Sequence, residues 1–250
     1  MLELTAIAFS PWSEKARWAL DHHGCDYHEV PYAPVLGEWR LRWRLRRPVG
    51  RITVPVLRDG DRWLTDSLDI ARHADSIGRG PTLFPERALA EILEWNRRSE
   101  AALAAGRAIL MRTWARTPEL AVAALPADLP QALRPLALSL GRRRLRGFMA
   151  KYGIQEDDPA PDRVLRDALE TLERTLEGRL HLIGDRFTYA DIAMALTLQQ
   201  VRPVDPRHIP RLPGLPPAGM NVPELETRHA RLFAWRDALY DRFRRTSVPV

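Results

Sequence analysis

Near its amino terminus the chain reads Phe9-Ser10-Pro11-Trp12-Ser13-Glu14-Lys15-Ala16-Arg17-Trp18, and this stretch decides the fold. The apolar run before it predicts a strand over 2–8, and the residues after it predict a helix to about His22. Proline suits the first helical position because its missing N–H would have no partner there. Ser10 then occupies the N-cap, where the free amides and the helix dipole stabilise either a capping oxygen or an anionic ligand. The local sequence leaves both roles open.

The rest of the first eighty residues predicts a small mixed domain. Strands are expected at 27–30, 53–58 and 62–65, the last two joined by the tight turn Asp59-Gly60-Asp61. A short arginine-rich helix or turn is expected over 37–47, with Trp39 and Trp43 on its buried side and Leu36 as a further candidate there. A further helix should open at Asp66-Ser67 and run to Ile77. The predicted order is βαβ, a connection, and ββα.

Composition places the chain among globular proteins. It has 250 residues, of which 45% are hydrophobic and 28% charged, values that exclude a disordered chain. Its apolar runs are too short to span a membrane, and its start shows no secretory signal. Cys25 is the one cysteine, which excludes an internal disulfide and a cysteine-ligated metal cluster. A lone thiol fits a reducing compartment, so we expect a cytoplasmic protein.

The net charge of +6 raises the question of nucleic acid. Almost all of the positive charge is arginine, since Lys15 and Lys151 are the only lysines. Arginines cluster at 40–47 and 142–146, but solvated helix faces explain both clusters, and no zinc-finger, recognition-helix or RNP pattern accompanies them. The seven histidines show no metal-ligand spacing. We therefore expect no nucleic acid partner and no metal site.

Three motifs in order resemble the N-terminal domain of the glutathione S-transferase family: Ser10-Pro11-Trp12-Ser13 before a helix, Val54-Pro55 starting a strand, and Asp66-Ser67 starting the next helix. The resemblance implies a thioredoxin-like fold for residues 1–80, with a cis bond at Pro55. It also implies that glutathione is the co-substrate. Its cysteinyl part would pair with the Val54 backbone, its γ-glutamyl end would bind Asp66 and Ser67, and Trp12 and Thr53 would complete the glutathione site.

The remaining residues, 85–250, predict an all-helical domain. Helices are expected over 85–114, 161–180 and 224–244, and residues 201–223 predict an irregular passage. Thr188 and Asp191 have the spacing of a capping box, followed by the apolar run 193–198 of a buried helix. This box also resembles the core helix of the family's C-terminal domain. The fold class is thus α/β plus all-α.

Residues 117–160 depart from the family plan, which joins its first two long C-terminal helices by a short loop. The extra segment contains apolar stretches at 120–125 and 133–140, then an arginine cluster. It could cover the active-site cleft, enlarge a subunit contact, or form a basic patch for a partner or a membrane surface. The sequence favours cleft cover or plain packing, and no membrane partner is expected.

The resemblance implies that the protein activates the thiol of glutathione. Ser10 would donate a hydrogen bond to the glutathione sulfur, and the resulting thiolate would attack a small hydrophobic electrophile, or a peroxide or disulfide. Ser13, one turn into the helix, is the alternative hydroxyl. Arg107, Met111 and Trp114 could line the electrophile pocket, although the sequence favours core packing for each of them. The resemblance further implies detoxification and a homodimer. A non-catalytic glutathione-binding scaffold is the chief alternative, and a basic nucleic-acid-binding or partner-binding module is the lesser one.

Overall fold

A computed structural model describes residues 1–32, 36–46, 50, 52–117, 120, 122, 129–210 and 222–244. The first part of the chain forms one four-stranded sheet flanked by helices. The strands are β1 (Leu2–Ala6), β2 (Tyr27–Pro31), β3 (Val56–Asp59) and β4 (Arg62–Leu64), and the helices are α1 (Pro11–His22), α2 (Leu36–Leu45) and α3 (Ser67–Ile77). The strand order is β2-β1-β3-β4. The predicted thioredoxin-like βαβ-ββα order is confirmed.

One end of this sheet gathers three chain segments that are far apart in sequence. β1 runs antiparallel to β3, with Thr5 opposite Val56, and β3 runs antiparallel to β4, with Leu57 opposite Leu64. The chain therefore leaves β1, enters β3 and leaves β4 at the same end. Helices α1 and α3 both begin there, so their amino termini face the same side of the molecule.

The second part of the chain is helical, as the sequence predicts. A 3₁₀ turn precedes the long first helix, and the predicted last helix divides into two at His229. The helices are α4 (Leu89–Arg116), α5 (Arg134–Tyr152), α6 (Ala160–Thr175), α7 (Tyr189–Thr197), α8 (Pro223–Arg228) and α9 (Ala230–Phe243). The apolar stretch at 120–125 and the irregular passage at 201–223 lie partly outside the described residues.

Helix α7 is the centre of the core, and all nine of its residues are buried. Its start carries the predicted capping box, in which Asp191 Oδ2 accepts from the Thr188 backbone N–H at 2.8 Å. The same buried core continues to the sheet side of the molecule. There the Trp18 ring of α1 lies 4.4 Å from the ring of Tyr240 on α9. The apolar core is therefore shared between the sheet and the helical part.

The prediction for the buried side of α2 is wrong. The side chains of Trp39 and Trp43 are 63% and 79% exposed, whereas Leu41 is 3% exposed and packs with Ile52 and Val56. Leu41 lies about 200° around the helix from both tryptophans, because each residue advances the helix by about 100°. Once Leu41 packs inward, both tryptophans must face outward.

Candidate functional site

Ser10 caps the start of α1. Its backbone is extended (φ −76°, ψ 125°), and its Oγ accepts from the Ser13 N–H at 3.4 Å. The residue is half-buried. A hydroxyl has one donor proton and two acceptor lone pairs, so capping uses a lone pair and leaves the proton free for a second partner. Capping and binding of an anion are therefore compatible at this residue.

Ser13 holds the loop that presents Ser10. Its side chain is buried, and its Oγ accepts from the Ile7 N–H at 3.1 Å. The Arg17 guanidinium donates to the carbonyl oxygens of Ile7 and Ala8 at 3.1 and 3.3 Å. These bonds tie the loop between β1 and α1 to the first turns of the helix, which holds the backbone that leads to Ser10.

Residues 53–55 lie beside this helix start. The Val54–Pro55 bond is cis, as the family resemblance implies. Val54 is half-buried, Thr53 is exposed, and both precede the first residue of β3, Val56. The Val54 backbone thus precedes the paired part of β3 at the sheet end described above, where an extended ligand can pair with it.

Asp66 and Ser67 open α3 at the same end. Asp66 caps the helix, with Oδ1 accepting from the Leu68 N–H at 2.8 Å, and its side chain is exposed. Ser67 is 3% exposed and lies beside the Tyr189 hydroxyl of α7. Burial raises the pKa of the Tyr189 hydroxyl well above its ordinary value, and Ser67 opposes part of that rise. Tyr189 thus stays protonated beneath the start of α3.

A polar network that the sequence did not reveal holds α1 against α4. The Lys15 ammonium is fully buried and contacts Glu100 Oε1 at 2.6 Å and Asn96 Oδ1 at 3.3 Å. Glu100 Oε2 accepts from the indole N–H of Trp12 at 2.6 Å. Burial lowers the pKa of Lys15, and the charge of Glu100 opposes that shift. No local pattern links residues 85 positions apart.

Arg107 joins the site to the inserted segment. Its guanidinium carbon lies 4.8 Å from the Trp12 ring centroid and 3.9 Å from that of Tyr152, the last residue of α5. The neighbouring Lys151 ammonium is 3.4 Å from the Ile52 carbonyl oxygen and 3.5 Å from a Glu38 carboxylate oxygen. The carboxyl end of α5 therefore adjoins both the Val54–Pro55 segment and Trp12.

Other reactive groups lie elsewhere or lack the right partners. Cys25 follows the far end of α1, and burial together with the charges of Asp26 and Asp21 raises the pKa of its thiol. Within the described ranges, no group of three or more histidine, cysteine or acidic side chains could hold a metal ion. No helix in that part of the chain is long and apolar enough to cross a membrane.

Comparison with protein families gives two matches. The family model for the glutathione S-transferase N-terminal domain matches residues 9–77, and the model for the C-terminal domain matches residues 162–238. Together they cover more than half of the chain. Neither reaches residues 78–161, which include α4 and α5.

Comparison with individual proteins agrees. The chain is 45% identical over 67 residues to glutathione S-transferase 4 of Zea mays, a match that spans 26% of this chain and 29% of that relative. It resembles the solved beta-etherase LigF of Sphingobium sp. (TM-score 0.64, 19% identity), covering 96% of this chain and 95% of the other. A glutathione S-transferase of Methylobacillus flagellatus, solved with glutathione bound, has a TM-score of 0.59 and 16% identity, covering 97% and 95%. At these identities the solved structures establish the fold.

Proposed function

Because the chain belongs to the glutathione S-transferase family, we propose that it activates the thiol of glutathione for attack on an electrophile. The observation that carries the proposal is the meeting of three segments at one end of the sheet. These are the start of α1 with Ser10, the Val54–Pro55 segment before β3, and the start of α3 with Asp66 and Ser67. Two helix amino termini, and the backbone of Val54 just before the paired part of β3, suit an anionic tripeptide.

Each part of glutathione has a matching group. The cysteinyl backbone pairs with Val54, and Thr53 and Trp12 flank it. The γ-glutamyl carboxylate binds the amides at the start of α3, including that of Ser67, while Asp66 accepts from the ligand's ammonium. The Asp66 cap bond uses Oδ1, so Oδ2 can serve the ligand. Residues 1–80 would form the glutathione-binding domain and residues 85–250 the helical domain.

Ser10 and the α1 amino terminus would act on the sulfur. An ordinary thiol has a pKa of about 8.5, so only a small fraction is thiolate at neutral pH. The Ser10 proton and the helix dipole both stabilise the charged form, which lowers the thiol pKa. Ser10 does not attack the substrate. It holds the sulfur, which then attacks an electrophilic carbon or a peroxide oxygen.

The test is the pKa of the bound thiol. We expect the protein to be retained on immobilised glutathione, and we expect the thiolate absorbance of the complex, titrated against pH, to show a thiol pKa lowered toward neutrality. Ser10→Ala should return that pKa toward about 8.5 and cut turnover at least tenfold. Ser13→Ala is the matched control, since it removes the bond to Ile7 and should lower stability more than it changes the thiol pKa.

Three outcomes decide between the possible roles. Failure to bind glutathione would overturn the proposal. Binding with an unchanged thiol pKa would identify a glutathione-binding protein without activation. Equal loss of activation in Ser10→Ala and Ser13→Ala would remove Ser10 from its special role.

A homodimer and a cytoplasmic location belong to the proposal as expectations. The family resemblance supports the dimer, and the lone Cys25 supports a reducing compartment. Sedimentation of the purified protein measures the first, and fractionation of the cells that produce it measures the second.

A further inference from the structure

The guanidinium of Arg107 is held against the first turn of α1. It lies between two aromatic rings, 4.8 Å from the centroid of Trp12 and 3.9 Å from that of Tyr152. Trp12 is only two residues beyond Ser10 and belongs to the first turn of α1. A positively charged, planar group therefore lies against a side chain of the helix turn that follows Ser10.

Acidic residues are absent from the helix segments on either side of this contact. Residues 101–111 of α4 and all of α5, residues 134–152, contain no aspartate or glutamate, whereas α5 carries five arginines and one lysine. Glu100, which accepts from the Trp12 indole, also contacts the Lys15 ammonium at 2.6 Å. This side of the site thus favours a negatively charged ligand.

The same wall is aromatic. Trp12 and Tyr152 are half-buried, and the Tyr152 ring lies 4.5 Å from the ring of Phe148. Met111, one turn after Arg107 on α4, is also half-buried. Flat apolar surfaces of this kind bind aromatic rings, and a planar guanidinium matches a carboxylate in two-bond geometry.

We propose that the electrophile is an aromatic compound with one anionic group, which Arg107 binds beside the glutathione sulfur. This inference rests on the proposed function and adds the class of its second substrate. For an aryl halide, the thiolate sulfur forms a bond to the ring carbon, and the halide leaves with the electron pair of the carbon–halogen bond. The thiol proton has already passed to solvent. Arg107 contributes affinity and orientation for the anionic group, so it determines specificity.

The probes are a pair that differs at one substituent, an anionic carboxylate in one and a neutral carboxamide of similar shape in the other. 4-Chloro-3,5-dinitrobenzoate and 4-chloro-3,5-dinitrobenzamide share the ring, the leaving group and the nitro groups. Their glutathione conjugates are prepared chemically, and their dissociation constants are measured by calorimetry, together with kcat/KM for the two chlorides. We expect the carboxylate to be preferred roughly tenfold in both measurements, as a single charged hydrogen-bonded pair allows. The preference should shrink as salt concentration rises.

Variants assign the preference to Arg107. Arg107→Met removes the charge and keeps an unbranched apolar stem, so the ratio between the two conjugates should fall to about one. Arg107→Lys keeps a charge and should retain part of the preference. Arg98→Met is the matched control, because Arg98 is another α4 arginine near a tryptophan, 5.9 Å from the Trp95 ring, and lies outside this site. It should leave the ratio unchanged.

The conjugate measurement separates this inference from the proposed function. If both conjugates bind but neither chloride reacts, the proposed activation fails while the ligand class is still decided by the two dissociation constants. Equal constants in the natural protein would overturn the inference, as would a preference that survives Arg107→Met. If Arg107→Met does not fold, the salt dependence of the ratio decides, because a neutral contact would not respond to salt.

Discussion

At Ser10 one hydroxyl can serve two purposes. Its oxygen accepts from the Ser13 N–H at 3.4 Å, which is a weak cap, and its proton can point toward a ligand. The sequence alone leaves capping and anion binding as alternatives. The structure makes them compatible, because Ser13 is committed to the Ile7 N–H and the loop before Ser10 is fixed by Arg17. The residue that stabilises the fold here is Ser13.

Among single residues, we expect the replacement of Asp191 to lower the stability of the protein most. Asp191 is fully buried, and its carboxylate accepts from the backbone N–H groups of Leu182 and Thr188 at 2.9 and 2.8 Å and from the Thr188 hydroxyl at 3.2 Å. Asp191→Ala leaves both buried N–H groups unpaired and should lower the free energy of unfolding by about 3 kcal/mol. Thr188→Ala should cost about 1 kcal/mol. Denaturant unfolding of both variants measures the difference, and equal losses would contradict it.

At the scale of elements, local signals predict best. Helix α1 spans Pro11–His22, as expected from the serine, the proline and the glycine that frame it. Helix α7 begins with the capping box that Thr188 and Asp191 indicate. The buried face of α2 could not be predicted, because arginines surround its apolar residues and its inner partners, Ile52 and Val56, come from a later segment.

In the candidate site, too, the residues with a local sequence signature could be predicted, whereas the contacts between distant residues could not. Its three motif positions carry local signatures, since each is a helix start or a proline before a strand. The contacts of Lys15 with Glu100 and of Arg107 with Tyr152 join residues 85 and 45 positions apart, and no periodicity links them. A single sequence considered by itself cannot pair such residues. The inserted segment is the hardest part to predict, because its role depends on which residues the carboxyl end of α5 contacts.

The contact between Tyr152 and Arg107 leads to a prediction about the local stability of the carboxyl end of α5. Tyr152→Ala removes the ring that faces Arg107 at 3.9 Å, while Tyr152→Phe keeps it. A cation–π contact of about 1 kcal/mol holds the last turn, so amide hydrogen exchange over 145–152 should accelerate about fivefold in Tyr152→Ala. Tyr152→Phe should match the natural protein. Acceleration in both variants would assign the contact to the hydroxyl, and acceleration in neither would mean that Lys151 alone secures this end.

At the scale of the whole molecule, α1 links the two ends of the chain. Arg244, directly after α9, donates to Glu14 Oε1 at 2.7 Å and also contacts Asp21, and both acids lie on α1. Glu14 is 1% exposed, so this pair is shielded from solvent. The helix that presents Ser10 is thus fixed from behind by the last described residue. Changes near the carboxyl terminus should therefore reach the site through α1.

His23, at the carboxyl end of α1, leads to a prediction of how the free energy of unfolding depends on pH. His23 is 1% exposed, with its Nε2 3.1 Å from Asp75 Oδ1. Burial lowers the pKa of His23, the neighbouring His22 adds to that effect, and Asp75 opposes it. Burial lowers the pKa of His208 as well. The unfolded histidines bind protons near their ordinary pKa of about 6.5, before the folded ones do.

Stability from these histidines is therefore full above about pH 7 and is lost as pH falls below about 6.5 toward their lowered pKa values. Urea unfolding at about pH 7.5 and about pH 5.5 should show a lower free energy of unfolding at the acidic value. In His23→Gln this loss should be smaller, whereas His28→Gln, at an exposed histidine of β2, should keep it. Higher stability at the acidic value, abolished by His23→Gln, would instead mean that a protonated His23 pairs with Asp75 in the folded protein.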